Sequence, residues 1–217
     1  MADLSSEITP ILRKNEEFLR NQVEVVYREA IDFVNDAIDY YIEFFKQFRE
    51  IAISATLHYI FFILMPISYS IFTNLLLGNI PACFRELRFL VESLAKCYLA
   101  DLKFSNIPIF DERIKEVEKG KKEHEIVEEF EEAIGIKDKR CLKLWGKLSK
   151  DVHIKGYVER FVERIEKFED IPSYSIILPM EYSYDDIEDI EEVGKRIKEL
   201  REILRITIEK FRNLNKE

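Results

Sequence analysis

Two stretches of this chain place chemically capable side chains at helical spacing. The first begins Arg85-Glu86-Leu87-Arg88 and runs on to Glu92 and Lys96. On a helix Arg85, Arg88, Glu92 and Lys96 cluster within roughly 80° of arc, and Arg88 and Glu92 stand one turn apart, where a cation and a carboxylate pair. Leu87, Leu90, Val91 and Leu94 flank the band. It is therefore either a solvated face or a half-buried ion pair that orients a further polar group. A buried pair is tolerable only when hydrogen-bonded on all sides. The second stretch is Leu144-Trp145-Gly146-Lys147-Leu148-Ser149-Lys150-Asp151-Val152-His153. Ser149 precedes His153 by one turn and Gly146 by two, so the three share a face. Between Lys137 and Lys155 lie seven basic residues and two acidic ones, a local +5. Such a patch attracts phosphate, and an imidazole titrating near neutrality supplies acid–base capacity. The candidate catalytic residues are thus His153, Lys147 and Ser149, with Arg85, Arg88, Glu92 and Lys150 as candidate phosphate-binding residues. The bland alternative is a histidine satisfied in a helix interface beside a solvated basic face.

Other chemistry is thinner. His124-Glu125-x-x-Glu128 puts an imidazole one turn from a carboxylate, but the second histidine of a zinc-protease helix is missing. With Glu123, Glu129 and Glu131 alongside, it reads as a solvated acidic helix, and no metal site is expected. His58 is either a satisfied core histidine or part of the same crevice as His153. No phosphate-cradling glycine loop and no Gly-x-Ser-x-Gly elbow occur, so P-loop hydrolysis, a Rossmann cofactor and serine-hydrolase chemistry drop out. No cofactor is expected.

The elements that must position these groups are helical. Thr9-Pro10 reads as a helix start, and apolar residues recur at steps of three and four from Leu19 to Phe48. A second helix ends at Gly78-Asn79. A third opens at Pro81 and continues to about Leu102, and a charged helix spans about Asp111 to Ala133, weakened at Gly120. The next runs from about Lys137 to Gly156, followed by a short amphipathic piece at 157–169. From 171 to 184 two prolines, β-branched residues and three tyrosines predict an extended arm. The last helix, from about Asp186, places Ile190, Val193, Ile197, Leu200, Leu204, Thr207, Phe211 and Leu214 at alternating steps of three and four, a heptad seam. That seam packs either inside its own bundle or against a second copy. The expectation is an all-α bundle of about five to seven helices. It divides into a bundle over 1–170, an arm at 171–185 and the C-terminal amphipathic helix at 186–217.

Ile51 to Phe84 carries no Asp, Glu, Lys or Arg for 34 residues. The run is long enough to cross a bilayer. Ser54, Thr56, His58, Ser68, Tyr69, Ser70, Thr73, Asn74 and a central Pro66 interrupt it, however. Ser54, His58, Ser68 and Tyr69 fall within roughly 100° of arc on a continuous helix, which suits a helix enclosed by protein. Basic residues flank the run on both sides, without the asymmetry that orients a span.

Composition agrees with an intracellular domain. The three cysteines match no metal motif and read as buried thiols in a reducing compartment, with a Cys83–Cys97 disulfide as the alternative. The first residues lack a secretory pattern, and a cytoplasmic location is expected. Gln occurs only at positions 22 and 47 amid abundant Lys, Glu and Ile, a bias of proteins built for high temperature. The net charge of −9 opposes nonspecific nucleic-acid binding, so any RNA contact must be a local patch.

Gly78-x-x-x-Ala82 leading into Leu87-Arg88-x-x-x-Glu92, then Trp145-x-x-Leu148-Ser149-x-x-x-His153, resembles the HEPN-like group of helical proteins over about Ile51 to Gly156. The resemblance implies an up-and-down helical bundle that dimerises, in toxin–antitoxin, defence or RNA-processing settings. Its nuclease members cleave RNA without metal, using an arginine followed after four to six residues by a histidine. Here Lys147 stands in the arginine's place, with five residues between it and His153, and Leu148 replaces the polar residue that usually follows. Lysine gives charge without a planar fork for phosphate.

Three functions follow as expectations. One is a non-catalytic, self-associating interaction or binding module, working through the heptad seam (Ile190, Val193, Ile197, Leu200, Leu204, Phe211) and the tyrosine-bearing arm. Another is an RNA- or nucleotide-binding protein with metal-independent ribonuclease activity, in which His153 is the acid–base group, Lys147 and Lys150 hold phosphate, and Arg88 and Glu92 orient the site. The third is a membrane-anchored protein. A homodimer is the expected assembly, with RNA, a nucleotide or an antitoxin-like protein as further partners.

Overall fold

The computed structural model describes residues 4–46, 54–152 and 180–214. Every regular element among them is helical. Eight helices are present: α1 (Leu4–Gln22), α2 (Glu24–Phe44), α3 (Ala55–Leu76), α4 (Ile80–Lys103), α5 (Phe110–Glu118), α6 (Glu123–Ala133), α7 (Arg140–Val152) and α8 (Ile187–Leu214), the last entered through a short 3-10 turn, Tyr184–Asp186. This is an all-α bundle, with one helix more than the upper end of the expected five to seven. Two expected helices are in fact pairs. The chain breaks at Val23 (φ −138°, ψ 46°) between α1 and α2. Gly120, at φ +73°, ends α5 and so splits the charged segment. His153, the amphipathic piece at 157–169 and residues 171–179 of the expected arm lie outside the described residues.

α4 is the hub. It packs against α3, α5, α6, α7 and α8. A helix enclosed on so many sides must be apolar nearly all round, and Leu87, Leu90, Val91, Leu94, Ala95, Cys97, Leu99 and Ala100 are buried. Several of its polar side chains, Glu86, Glu92, Lys96 and Asp101 among them, bond to neighbouring helices. α8 packs against α2, α4 and α7. Its seam residues Ile190, Val193, Ile197, Leu200, Leu204 and Phe211 are all buried in the core. Of the two readings open to this seam, the structure shows packing inside its own bundle: the heptad spacing is satisfied by helices of the same chain, so these residues are not a free oligomer seam.

α3 contains a π-helical turn, Tyr59–Leu64. That wider turn shifts the angular register of everything after it. The expected polar stripe therefore dissolves. Ser68 is buried and donates to the Met65 carbonyl (2.8 Å), whereas Tyr69 is exposed. His58 stacks on Phe110 (centroids 4.6 Å apart) and lies 5.0 Å from the Phe62 ring, and burial lowers its pKa.

The first turn of α3 is held by Asp101 of α4. Its carboxylate accepts from Ser54 Oγ (2.7 Å) and from the backbone N–H groups of Ala55 (2.9 Å) and Thr56 (2.8 Å). These are donors a helix start leaves unsatisfied. Arg113 Nη1 completes the hub at 3.0 Å, while its Nη2 donates to the Ser105 carbonyl (3.1 Å) and its Nε to that of Ile107. All three cysteines are buried free thiols, so no Cys83–Cys97 disulfide forms.

Candidate functional site

Arg88 and Glu92 meet Trp145 where α4 faces α7. Arg88 Nε donates to Glu92 Oε1 at 2.8 Å, and the indole Nε1–H of Trp145 donates to the same oxygen at 2.7 Å. The guanidinium carbon lies 5.4 Å from the Trp145 ring centroid, a cation–π distance. The side chains of Arg88 and Glu92 are 23% and 19% exposed, so the group is neither solvated surface nor sealed core. Helix geometry explains the meeting. A pair at i, i+4 on one helix shares a carboxylate oxygen with a ring carried by the facing helix. Among the described residues, the Nη nitrogens of Arg88 and Oε2 of Glu92 have no partner given by the bundle.

α6 supplies the third wall. The His124 ring centroid lies 6.3 Å from that of Trp145. Its neighbour Glu123 accepts from Lys96 (2.9 Å), which also reaches Glu118 at 2.8 Å. These carboxylates hold the Lys96 pKa above its ordinary value although burial acts against it. Sequence reasoning placed His124 on a solvated acidic helix; it is exposed, but at the edge of this cluster.

The remaining expected residues are distributed as follows. Arg85 is exposed one turn before Arg88 on α4. Ser149 is buried, and its hydroxyl donates to the Trp145 carbonyl (2.8 Å), a bond internal to α7. Lys147 lies about 200° around α7 from Trp145, with its ammonium 3.7 Å from Glu199 of α8. It is not brought to Arg88 and Glu92. Lys150 is exposed. His153 lies outside the described residues, so its distance from Glu92 is not among the findings. A Cβ built on Gly146 would meet nothing within 4 Å. This glycine faces open space and serves no close helix approach.

The local +5 is partly offset by Glu128, Glu199 and Glu202 from neighbouring helices. Lys139 pairs with Glu128, Arg140 with Asp138 and Glu202, and Lys147 with Glu199. What survives as recognition chemistry is the Arg88 fork, framed by an aromatic face and a carboxylate, with Arg85 beside it. No group of three or more His, Cys, Asp or Glu among the described residues is arranged to hold a metal ion.

Glu92's second donor, Trp145, was not foreseen. The signal was available: Trp145 and Ser149 stand four apart on one face of α7, and an indole N–H turned toward a core needs an acceptor. Comparison with protein-family models, with curated proteins and with solved structures finds no match to this chain.

Proposed function

We propose that this protein is a non-catalytic binding module whose Arg88–Glu92–Trp145 cluster receives a phosphate-bearing group of an RNA or nucleotide. The reading rests on one observation: the Arg88 guanidinium is fixed on Glu92 and over Trp145 while its Nη edge remains uncommitted. A planar fork held in advance loses little freedom on meeting an oxyanion, and it forms two parallel hydrogen bonds. Arg85 supplies the uncompensated positive charge that the neutral Arg88–Glu92 pair lacks. The resemblance to HEPN-like proteins, the cytoplasmic location and the place in RNA processing or defence belong to the same proposal.

Ribonuclease activity is the alternative, and two observations weigh against it. Ser149 is spent on a helix carbonyl, and Lys147 faces Glu199 instead of the cluster. A membrane anchor built on α3 is opposed by its packing against α2 and α4 and by the Asp101 hub at its start.

Trp145 is the only tryptophan, so its emission reports on this site alone. Adding single-stranded RNA or nucleoside phosphates at low salt should change that emission, weaken with added salt, and fail with Arg88→Ala. Arg88→Lys should restore little, because lysine lacks the fork. Unchanged emission with no binding at low salt refutes the proposal. RNA cleavage in chelator that His153→Ala abolishes establishes the enzyme reading in its place.

A further inference from the structure

α3 is long and apolar enough to cross a membrane, yet less than half of that stretch is buried. Its outer ridge is Phe62, Pro66, Tyr69 and Thr73, at steps of four, three and four, and all four are exposed. Phe62 is 53% exposed and Tyr69 44%. That spacing is the one by which helices seat against helices. No helix among the described residues takes the ridge, whereas the seam of α8, with the same spacing, is enclosed from Ile190 to Phe211.

α4 extends the ridge. Ser70 Oγ and Asn74 Nδ2 of α3 both donate to Glu86 Oε1 (2.6 and 3.1 Å), and the Cys83 thiol reaches the Ile71 carbonyl at 3.6 Å. These contacts fix α3 and α4 as an antiparallel hairpin. On α4 Phe89, 46% exposed, and Arg85 are open to solvent as well. Phe62, Tyr69 and Phe89 are the exposed aromatic residues of this hairpin.

Charge indicates what covers it. The chain carries −9, and exposed carboxylates stud the other surfaces, among them Asp39 and Glu43 on α2, Glu112 on α5, Glu132 on α6, and Glu191 and Glu209 on α8. With 42 acidic against 33 basic residues, two copies repel on average when charged surfaces meet. From Ser54 to Phe84 there is no Asp, Glu, Lys or Arg, so this is the face on which copies meet without repulsion. An anionic lipid surface would need a fringe of cations, and the run from Ser54 to Phe84 supplies none. RNA would need cations tracking a backbone, which α3 lacks.

We infer that the Phe62–Pro66–Tyr69 ridge of α3, with Phe89 of α4, mates with the same face of a second copy in a two-fold dimer. The inference does not depend on the binding site proposed above. It relocates self-association from the enclosed α8 seam to a surface the bundle leaves open.

Sedimentation of the full chain tests it. The wild type should sediment at twice 25.9 kDa at micromolar concentration. Phe62→Glu combined with Tyr69→Glu should raise the dimer dissociation constant on the order of a hundredfold, the scale of losing interface anchors, with an unchanged helical spectrum and unchanged Trp145 emission. Val25→Glu, at another exposed apolar position (80% exposed), should leave the dimer intact. Because the native cysteines are buried, Tyr69→Cys under mild oxidation should give a cross-linked dimer through that residue alone. A wild-type monomer at all concentrations overturns the inference, as does a dimer indifferent to both glutamates. A monomer that co-sediments with phosphatidylglycerol vesicles, or that binds single-stranded RNA through Phe62, also overturns it and names the other occupant.

Discussion

Trp145 and Glu92, far apart in sequence, are joined by a 2.7 Å hydrogen bond from the indole N–H to the carboxylate oxygen that also holds Arg88. The bond ties α7 to α4 and fixes the plane of the guanidinium. Trp145→Phe keeps the ring face but removes the donor, and should cost about 1 kcal/mol of stability, the net worth of one such bond. Glu92→Ala leaves Arg88 half-buried beside the ring without its carboxylate. It should cost about 2 kcal/mol, less than a fully buried pair because water still reaches both groups. Urea titrations of the two variants give the order; equal stability of Glu92→Ala and wild type would show that the pair orients nothing.

Asp101 and Arg113 should matter more. Their side chains are almost fully enclosed, and Asp101 also satisfies the first N–H groups of α3. Asp101→Ala strands a buried guanidinium and uncaps a helix, so a loss of about 3–5 kcal/mol is expected. Arg113→Met should be milder than Arg113→Ala: both take a donor from Asp101 and from the Ser105 and Ile107 carbonyls, but methionine fills space that alanine leaves empty. Thermal melts order the three. An Asp101→Ala protein as stable as the wild type would mean that the hub contributes no stability.

Leu200→Asp distinguishes the two fates of a heptad seam. In a self-association helix it yields a folded monomer; here Leu200 is enclosed between α8 and the helices it packs on, so the variant should lose its helical spectrum altogether. The seam was legible in the sequence, but its partner was not. A step of three and four states that a helix needs another helix, and the spacing is the same whether that helix belongs to the same chain or a different one. The Phe62–Tyr69 ridge was hidden for a related reason. Counted at 100° per residue, Phe62, Pro66, Tyr69 and Thr73 share one face, but an apolar helix is apolar on its other faces too, and which of them the bundle leaves exposed is not written in the spacing. Within the site, the Arg88–Glu92 pair could be read from its i, i+4 spacing. That Lys147 faces Glu199, and His124 faces Trp145, depends on how α6, α7 and α8 are rotated about α4, which no local pattern encodes.

Alkali should unfold this protein through its thiols. Burial pushes the Cys141 thiol up to about 12, and pushes those of Cys83 and Cys97 up as well. Folded values above the ordinary thiol value mean that the native state holds its protons more tightly than the unfolded chain. The stability so contributed is complete below about pH 9 and is lost as pH climbs from there through about 12. Melting temperature should therefore fall across that window. A thiol reagent at pH 8 should find no reactive cysteine in the native protein and three in denaturant. A native cysteine that reacts rapidly would contradict the burial on which the argument rests.

Two glycines separate backbone strain from contact. Gly78 (φ +70°) and Gly120 (φ +73°) share a left-handed conformation, so alanine at either costs about 1–2 kcal/mol for the backbone alone. A Cβ at Gly120 meets nothing within 4 Å, but one at Gly78 comes 2.4 Å from the carbonyl oxygen of Met180. That oxygen is already held by Asn15 Nδ2 at 2.7 Å, and the Met180 N–H donates to the Leu77 carbonyl at 3.0 Å. Tyr182 continues the attachment through its N–H to Asn15 Oδ1 (2.8 Å) and its hydroxyl to the Leu75 carbonyl (2.6 Å). A methyl group at position 78 must displace this strap or the end of α3, and the hydrogen bonds of Met180 and Tyr182 leave the strap little room to give. Gly78→Ala should therefore be the more damaging variant, and it should expose the chain around Met180 to protease while Gly120→Ala does not. Equal losses in the two variants would mean that the strap yields freely and that only the left-handed backbone matters.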